Sequence, residues 1–220
     1  MPIHLITGPM FAGKTTVLLE ILKAKKPNSV VLLKHRDDTR FPVRDKVLTH
    51  TGASFPCTIV QNLEDINRNC YEDWCTIAVD EGQFFPNIYE MASKWACQGK
   101  EVIITAISNG LFMEPLRQIA NLMAVSDKIT KLTAVCTSCI ADANFSYRKT
   151  PFPEHVSPTS PTFFLGGEES YKALCRRCFV KHIQHDHSQQ TGMFSGEGVQ
   201  KLDLLPTDIL TWDVGLSGNT

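Results

Sequence analysis

A glycine-rich pattern at the start of the chain constrains the fold more than any other feature. Residues 8–15 have the sequence Gly-Pro-Met-Phe-Ala-Gly-Lys-Thr and fit the phosphate-binding loop pattern G-x4-G-K-S/T. An apolar run at 3–7 predicts a strand before the loop, and apolar residues at helical spacing over 16–25 predict a helix after it. In such a unit, backbone N–H groups and the helix N-terminus surround phosphate oxygens. The pattern predicts nucleotide binding, with Lys14 at the β- and γ-phosphates and Thr15 on Mg2+.

The composition is that of a globular protein whose net charge is close to zero. The 220 residues suffice for one large domain, or one domain with a small appendage, and 43% of them are hydrophobic. The 22 basic and 23 acidic residues nearly cancel, which argues against a protein that binds the DNA backbone through a clustered basic face. We expect no membrane span and no secretory signal, because no apolar stretch of about twenty residues and no basic leader is present.

Apolar runs alternate with helical stretches in the first part of the chain. Further strands are predicted at 29–34, 75–79, 101–107 and 128–135, and further helices at 63–71, 87–98 and 115–123. Continuous apolar strands separated by helices predict an α/β fold, a parallel sheet covered by helices on both faces. The ligand then belongs at the carboxyl edge of the strands, beside the phosphate loop. The polar stretch 35–55 shows no clean period and is predicted to be a mobile loop.

An acidic pair, Asp80 and Glu81, directly follows the apolar run 75–79. A carboxylate at the end of a buried strand is typical of a Walker B position, which binds Mg2+, often through water. Glu81 beside it could take a proton from the phosphate acceptor. Two solvated carboxylates in a turn are the alternative, which the phosphate loop makes the weaker one.

Two C-x2-C pairs, Cys136 with Cys139 and Cys175 with Cys178, stand apart from the other cysteines. Each pair can form a knuckle, and two knuckles complete a tetrahedral four-thiolate zinc site of the structural kind. The metal would close the loop of about 35 residues between the pairs, which is otherwise costly to close. A redox role for the pairs is the less favoured alternative.

The remaining cysteines and the histidines near the second pair have plainer interpretations. The scattered cysteines are predicted to be small, buried, free thiols: Cys57, Cys70, Cys75 and Cys97. The histidines after the second pair could ligate a metal, but a solvated helix end is favoured: His182, His185 and His187.

Five motifs together resemble one family. They are GPMFAGKTT at 8–16, DTR at 38–40, DEGQFFP at 80–86, KLTAVC at 131–136, and Gly166-Gly167 with Tyr171. In this order they closely resemble the cytosolic, type II thymidine kinases, over roughly residues 3 to 180. We accordingly expect a phosphate-loop ATP-binding α/β domain at 1–134, a zinc-binding lasso domain at 135–185, and a loosely ordered tail at 186–220.

The resemblance implies a reaction, the ATP-dependent phosphorylation of thymidine at its 5′-hydroxyl to give dTMP and ADP in nucleotide salvage for DNA synthesis. Glu81 matches the family's general base, Asp80 and Thr15 match Mg2+ contacts, and Lys14 and Arg40 match cations at the transferring phosphoryl group. The expected ATP and phosphate contacts are Gly8, Pro9, Met10, Phe11, Ala12, Gly13, Lys14, Thr15, Asp38, Thr39, Arg40, Asp80 and Gln83.

The resemblance also implies how thymine is recognised, mostly by backbone groups of the zinc-tethered loop. The expected substrate contacts are Met10, Phe112, Ser146, Thr162, Phe163, Phe164, Leu165, Gly166 and Tyr171. One departure concerns Ser108, which stands where the family has an apolar residue facing the base. A lost methyl-sized contact is worth about 1 kcal/mol, so we expect deoxyuridine to compete better than usual.

The family's other properties are Mg2+ with ATP and structural Zn2+ as cofactors, a cytoplasmic location, a homotetramer and feedback inhibition by dTTP, with no nucleic-acid or membrane partner. Three alternatives remain. One is a kinase of broader pyrimidine preference. The second is a zinc-ribbon nucleic-acid-binding module on a phosphate-loop ATPase, for which the basic and aromatic stretch 145–149 is the candidate surface. The third, an inactive interaction protein, is disfavoured because the chemical positions are intact.

Overall fold

A computed structural model describes residues 1–26, 28–38, 45–49, 52–66, 74–111, 113–149 and 166–191, with only the backbone described over 186–191. The strands are β1 (Ile3–Thr7), β2 (Val30–His35), β3 (Lys46–Leu48), β4 (Ser54–Pro56), β5 (Thr58–Val60), β6 (Thr76–Val79), β7 (Glu101–Ala106), β8 (Lys128–Lys131), β9 (Ala134–Val135), β10 (Asp142–Ala143), β11 (Phe145–Arg148) and β12 (Tyr171–Leu174). The α-helices are α1 (Lys14–Lys23), α2 (Ile88–Cys97), α3 (Arg117–Val125) and α4 (Arg176–Thr191), and 3-10 turns occur at Leu63–Asp65 and Gly82–Phe84.

A six-stranded parallel sheet forms the centre of the α/β domain, in the order β5-β2-β6-β7-β1-β8. Its inner strands are apolar at consecutive positions because both faces are covered. On one face, Leu18 and Leu22 of α1 pack with Ile6 and Ile103. On the other face, the side chains of α2 and α3 pack around the fully buried Trp95. The predicted α/β fold with a parallel sheet is therefore confirmed.

The four cysteines lie in a separate small unit. Strand β9 pairs with β10 and β11 pairs with β12, both antiparallel, and α4 follows. Phe145, Tyr147, Leu174 and Phe179 form its apolar centre together with Cys136 and Cys178. Phe11 and Ala12 of the phosphate loop pack against this cluster, so the unit lies directly beside the loop.

The described residues differ from the sequence prediction in three places. The apolar run 128–135 is not one strand: β8 ends at Lys131, the Leu132 N–H makes one further bond to the Thr7 carbonyl, and the chain then leaves the sheet to begin β9, which pairs with β10. The helix predicted at 63–71 is wrong over 63–66, where a 3-10 turn ends at an extended Ile66 (φ −70°, ψ 110°); residues 67–73 lie outside the described part. The stretch 35–55 contains the hairpin β3–β4, whose Val47 is buried in the core.

Candidate active site

The phosphate loop, residues 8–13, joins β1 to α1 as the sequence predicts. Gly8 has φ +153°, and a Cβ there would lie 2.4 Å from the Leu132 carbonyl oxygen, so only glycine fits. Gly13 takes φ +79° immediately before α1. The Lys14 ammonium is buried and donates to the Pro9 carbonyl oxygen at 2.8 Å. The loop therefore presents a helix N-terminus and a buried cation at the carboxyl edge of the sheet.

The acidic pair lies beside the loop, at the end of β6. The Thr15 hydroxyl donates to an Asp80 carboxylate oxygen at 3.1 Å, which joins the two side chains predicted to hold Mg2+. The Thr105 hydroxyl of the neighbouring strand β7 donates to the same Asp80 oxygen at 2.6 Å. It also accepts the Glu81 N–H at 2.9 Å. Asp80, Glu81 and Thr105 are all buried, so the two hydrogen bonds of Thr105 are shielded from water.

Glu81 has an unusual backbone, with φ 53° and ψ 53°. A residue with a side chain pays a free-energy cost of about 1 kcal/mol or more in this left-handed region, which persists only when its surroundings enforce it. Gln83 contributes to that enforcement, because its amide nitrogen donates to a Glu81 carboxylate oxygen at 2.5 Å. The Gln83 amide oxygen in turn accepts the Ile107 N–H at 3.2 Å. Gln83, which we expected to hold the nucleotide, therefore contacts Glu81 directly.

A cavity of about 360 Å³ brings most of these groups together. Its lining includes the following residues singled out from the sequence: Met10, Phe11, Gly13, Lys14, Thr15, Asp38, Asp80, Glu81 and Gly166. It also includes Lys34, which the sequence reasoning missed. Lys34 is 3% exposed, and its ammonium lies 3.8 Å from an Asp38 carboxylate oxygen. A lysine that ends the apolar run of β2 was the available signal, because a buried lysine needs a partner.

Two residues expected near the substrate lie in the small unit. The buried Ser146 hydroxyl on β11 accepts the Met10 N–H at 2.9 Å, so it contacts the phosphate loop. Tyr171 is buried at the start of β12, next to the turn formed by Gly166 and Gly167. Of the remaining predicted site residues, the following lie outside the described residues: Thr39, Arg40, Phe112, Thr162, Phe163, Phe164 and Leu165.

The four cysteines of the two pairs converge. The sulfur atoms of Cys136, Cys139, Cys175 and Cys178 all lie within 4.8 Å of one another, and the Cys139 and Cys175 sulfurs are 3.5 Å apart. A tetrahedral site with Zn–S bonds of about 2.3 Å needs sulfurs about 3.8 Å apart, so the cluster fits zinc. Burial raises the pKa of the Cys136 thiol, but hydrogen bonds from neighbouring backbone and thiol groups outweigh this and lower it to about 6.

The comparison with known proteins agrees with this geometry. The family model described as thymidine kinase matches residues 1–179.

The chain belongs to the thymidine kinase family.

Similar members of the family come from poxviruses. The thymidine kinase of Yaba monkey tumor virus is 35% identical over 181 residues, which are 81% of this chain and 94% of that protein. The myxoma virus (strain Lausanne) thymidine kinase is 34% identical over 80% of this chain and 95% of its own length. The vaccinia virus (strain Ankara) thymidine kinase is 33% identical over 81% of this chain and 96% of its own length. The prediction of an enzyme of the thymidine kinase family, which phosphorylates thymidine, is therefore confirmed.

The structure of this thymidine kinase corrects some expectations about the other cysteines. Cys75 and Cys97 are exposed and Cys57 is half-buried, so the prediction of buried thiols is wrong for the first two; Cys70 lies outside the described residues. Cys75 lies immediately before β6 begins and Cys97 is the last residue of α2, so both short side chains lie at the edge of their elements. Burial raises the pKa of the Cys57 thiol to about 11, so it is protonated at neutral pH.

The nucleic-acid alternative loses its candidate surface. Phe145 and Tyr147 of the stretch 145–149 are buried in the cluster around the four cysteines and do not offer a face on which bases could stack. His182 contacts Ser138 and Lys172 on the surface of the small unit. Over the part of the chain that the structure describes, none of the helices combines the length and the apolar character that a membrane crossing requires.

Proposed function

We propose that this member of the thymidine kinase family transfers the γ-phosphoryl group of ATP to the 5′-hydroxyl of thymidine, with Glu81 as the general base. One observation carries the proposal: Lys14, Thr15, Asp80 and Glu81 line a single cavity, with Thr15 and Asp80 hydrogen-bonded across it. A phosphate loop, a Walker B carboxylate and an adjacent base are the parts that in-line phosphoryl transfer requires.

The charges around the cavity favour a nucleotide that arrives with a divalent cation. Two lysines line it, against five carboxylates: Lys14 and Lys34; Asp38, Asp80, Glu81, Glu168 and Glu169. A polyphosphate alone would be repelled by this excess of negative charge. The Thr15 hydroxyl and the Asp80 carboxylate offer the oxygen ligands that Mg2+ prefers. Bound there, Mg2+ would neutralise charge on the phosphates, while Lys14 would contact their oxygens.

Glu81 is held in a manner that suits a base. Its backbone N–H donates to the Thr105 hydroxyl, and one of its carboxylate oxygens accepts from the Gln83 amide. The backbone and the carboxylate of Glu81 are therefore both held, which fixes the direction of the side chain. A base must lie within about 3 Å of the proton it takes, and a fixed carboxylate meets that requirement better than a rotating one. Arg40 is proposed to stabilise the phosphoryl charge in the transition state.

For the substrate, we propose that residues 162–166 enclose the thymine ring, with Phe112 and Met10 against its faces and Tyr171 beside the sugar. Gly166 lines the cavity and Tyr171 is buried next to it, which supports a nucleoside site adjoining the phosphates. Ser108 is half-buried and donates to the Asn109 side chain at 3.1 Å. We propose that this polar side chain weakens the apolar contact with the 5-methyl group of thymine and lets deoxyuridine serve as a substrate.

The other family properties are proposed in the same way. The four-cysteine cluster is proposed to hold a structural Zn2+ that fixes the lasso domain at 135–185 against the ATP-binding domain at 1–134. Helix α4 begins in the lasso domain and continues to Thr191, so the first residues of the tail expected at 186–220 are continuous with that domain. We propose a homotetramer in the cytoplasm, inhibited by dTTP, which carries both a thymine and a triphosphate and so can occupy both halves of the site. Light scattering would test the tetramer, and inhibition kinetics against thymidine would test dTTP.

The decisive experiment is product analysis with purified protein, ATP, Mg2+ and each deoxynucleoside in turn. Wild type and the exposed-carboxylate control Glu90→Gln should both produce dTMP, and Glu81→Gln should lower kcat by about 100-fold or more. Ser108→Leu should raise the preference for thymidine over deoxyuridine several-fold. ATP hydrolysis with no nucleoside product would refute the proposed reaction. Full activity of Glu81→Gln would refute the proposed base.

A further inference from the structure

We propose that Thr105 is a positioning residue, whose hydroxyl fixes both the Mg2+-binding carboxylate and the general base; the proposal rests on the function proposed above. Thr105 belongs to β7 and not to any of the motifs that the sequence singled out. Its side chain is fully buried, with no exposed surface. It touches no substrate in the proposed mechanism and acts through Asp80 and Glu81.

The geometry uses the single hydroxyl in both of its hydrogen-bonding roles. The Thr105 hydroxyl accepts the Glu81 backbone N–H at 2.9 Å and donates its own proton to the Asp80 carboxylate at 2.6 Å. The same Asp80 oxygen accepts the Thr15 hydroxyl at 3.1 Å. A continuous series of hydrogen bonds therefore runs from the base to the phosphate loop through β7.

Such an anchor is needed because the turn after β6 has a conformation that a glutamate does not favour. Glu81 lies at φ 53° and ψ 53°, and a left-handed residue is kept only where its surroundings over-determine it. The Thr105 hydroxyl holds the amide of Glu81 and Gln83 holds its carboxylate. If the hydroxyl were removed, the amide would lose its acceptor and Asp80 would lose a short, charge-assisted hydrogen bond.

A second threonine distinguishes positioning from general stabilisation. Thr76 lies at the opposite end of the same sheet, where its hydroxyl donates to Glu101 at 2.7 Å. It is also buried, and it also bonds to a carboxylate on β7. Thr76→Val therefore removes the same kind of hydrogen bond from the same sheet, far from the phosphate loop, and serves as the matched control.

The experiment compares Thr105→Val, Thr105→Ser and Thr76→Val by steady-state kinetics, thermal denaturation and amide hydrogen exchange of the zinc-loaded protein without Mg2+ or nucleotide. Thr105→Val should lower kcat by about 10- to 100-fold and change the KM for thymidine less than twofold. Thr105→Ser, which keeps the hydroxyl, should restore most of kcat. Thr76→Val should lower Tm but leave kcat unchanged. The amide of Glu81 should exchange faster in Thr105→Val only.

Three results would overturn the proposal: an unchanged kcat in Thr105→Val, a loss that serine does not rescue, or a kcat loss of equal size in Thr76→Val. Because hydrogen exchange needs no turnover, it tests the contact even if wild type does not phosphorylate thymidine. Unchanged exchange at Glu81 in Thr105→Val would overturn the proposal by itself. Faster exchange with an inactive wild type would instead refute the proposed function and leave the anchoring contact supported.

Discussion

Replacing Ser146 by alanine tests how the small cysteine-containing unit acts on the phosphate loop. In the structure the Ser146 hydroxyl accepts the Met10 N–H at 2.9 Å, across 136 residues of sequence. The family resemblance assigns Ser146 to the substrate, whereas this contact assigns it to the phosphate loop, which is proposed to bind ATP. The hydrogen bond involves the backbone N–H of Met10, which belongs to the phosphate loop, whereas the Met10 side chain is the group proposed to contact thymine. Loss of the Ser146 hydroxyl should therefore affect binding of the ATP phosphates more than binding of thymidine.

The size of the effect follows from what alanine leaves behind. A buried donor without its acceptor costs about 1–3 kcal/mol, and the lower end applies because Met10 is half-buried and water can reach its N–H. A cost of about 1 kcal/mol corresponds to a roughly fivefold change in an equilibrium constant. We therefore expect Ser146→Ala to weaken binding of a non-hydrolysable ATP analogue about fivefold and to leave the KM for thymidine within experimental error.

Calorimetry with the analogue and initial rates at varied thymidine measure the two quantities separately. Ser126→Ala is the matched control, since it removes a serine hydroxyl that donates to the Leu122 carbonyl at 2.7 Å at the end of α3. Ser146→Thr retains the hydroxyl and should bind the analogue like wild type. If Ser146→Ala instead raises the KM for thymidine and leaves analogue binding intact, the loop contact does not explain the role of Ser146.

Three further predictions concern charge and metal. Lys34→Met should raise the KM for ATP about tenfold, because a cation at the cavity wall is lost; an unchanged KM would contradict a phosphate-facing role. Burial raises the pKa of Glu101, but hydrogen bonds from Lys25 and Thr76 outweigh it and the net pKa is lowered. Ionised Glu101 therefore stabilises the fold fully above its ordinary pKa of 4.5, and this stabilisation is lost as pH falls through its lower pKa in the folded protein. The free energies of unfolding in urea of Glu101→Gln and wild type should therefore converge below that folded-state pKa. Cys178→Ser should abolish the bound zinc measured by elemental analysis and lower Tm, while Cys97→Ser, at an exposed thiol, should change neither.

The strands and helices that the sequence predicted well are those with long apolar patterns. The inner strands β1, β6 and β7 are buried on both faces, and such runs are visible in sequence because nearly every residue must be apolar. Strands β3 and β4 have three residues each, too few to show a period, so the stretch 35–55 appeared structureless. The run 128–135 misled because its two halves pair with different partners, β8 with β1 and β9 with β10. Which partner a segment pairs with depends on tertiary contacts that the run itself does not encode.

The candidate site was predictable where a motif fixes the chemistry. The phosphate loop and the paired cysteines have spacing that only a few functions use, and the structure brings each group together. Thr105 was missed because a single threonine inside an apolar strand has no spacing signal. Lys34 was missed because the one signal it offers, a lysine at the end of an apolar run, does not form part of a motif. The position of Thr105 follows from strand register, because the pairing of β6 with β7 places Thr105 beside the acidic turn.

The contacts between the two parts of the chain give the proposed structural metal a role in substrate binding. The carbonyl of Leu132, where the chain leaves the sheet toward β9, lies directly against Gly8. The Ser146 hydroxyl of β11 accepts the Met10 N–H. The first half of the phosphate loop is thus supported by chain that leads into, or belongs to, the four-cysteine unit. A unit so small has too little apolar surface to be rigid on its own, and metal ligation can supply on the order of 10 kcal/mol toward its folding. Losing the proposed metal should therefore weaken binding of phosphate as well as binding of the nucleoside, because the same unit supports the phosphate loop and is proposed to contact the nucleoside.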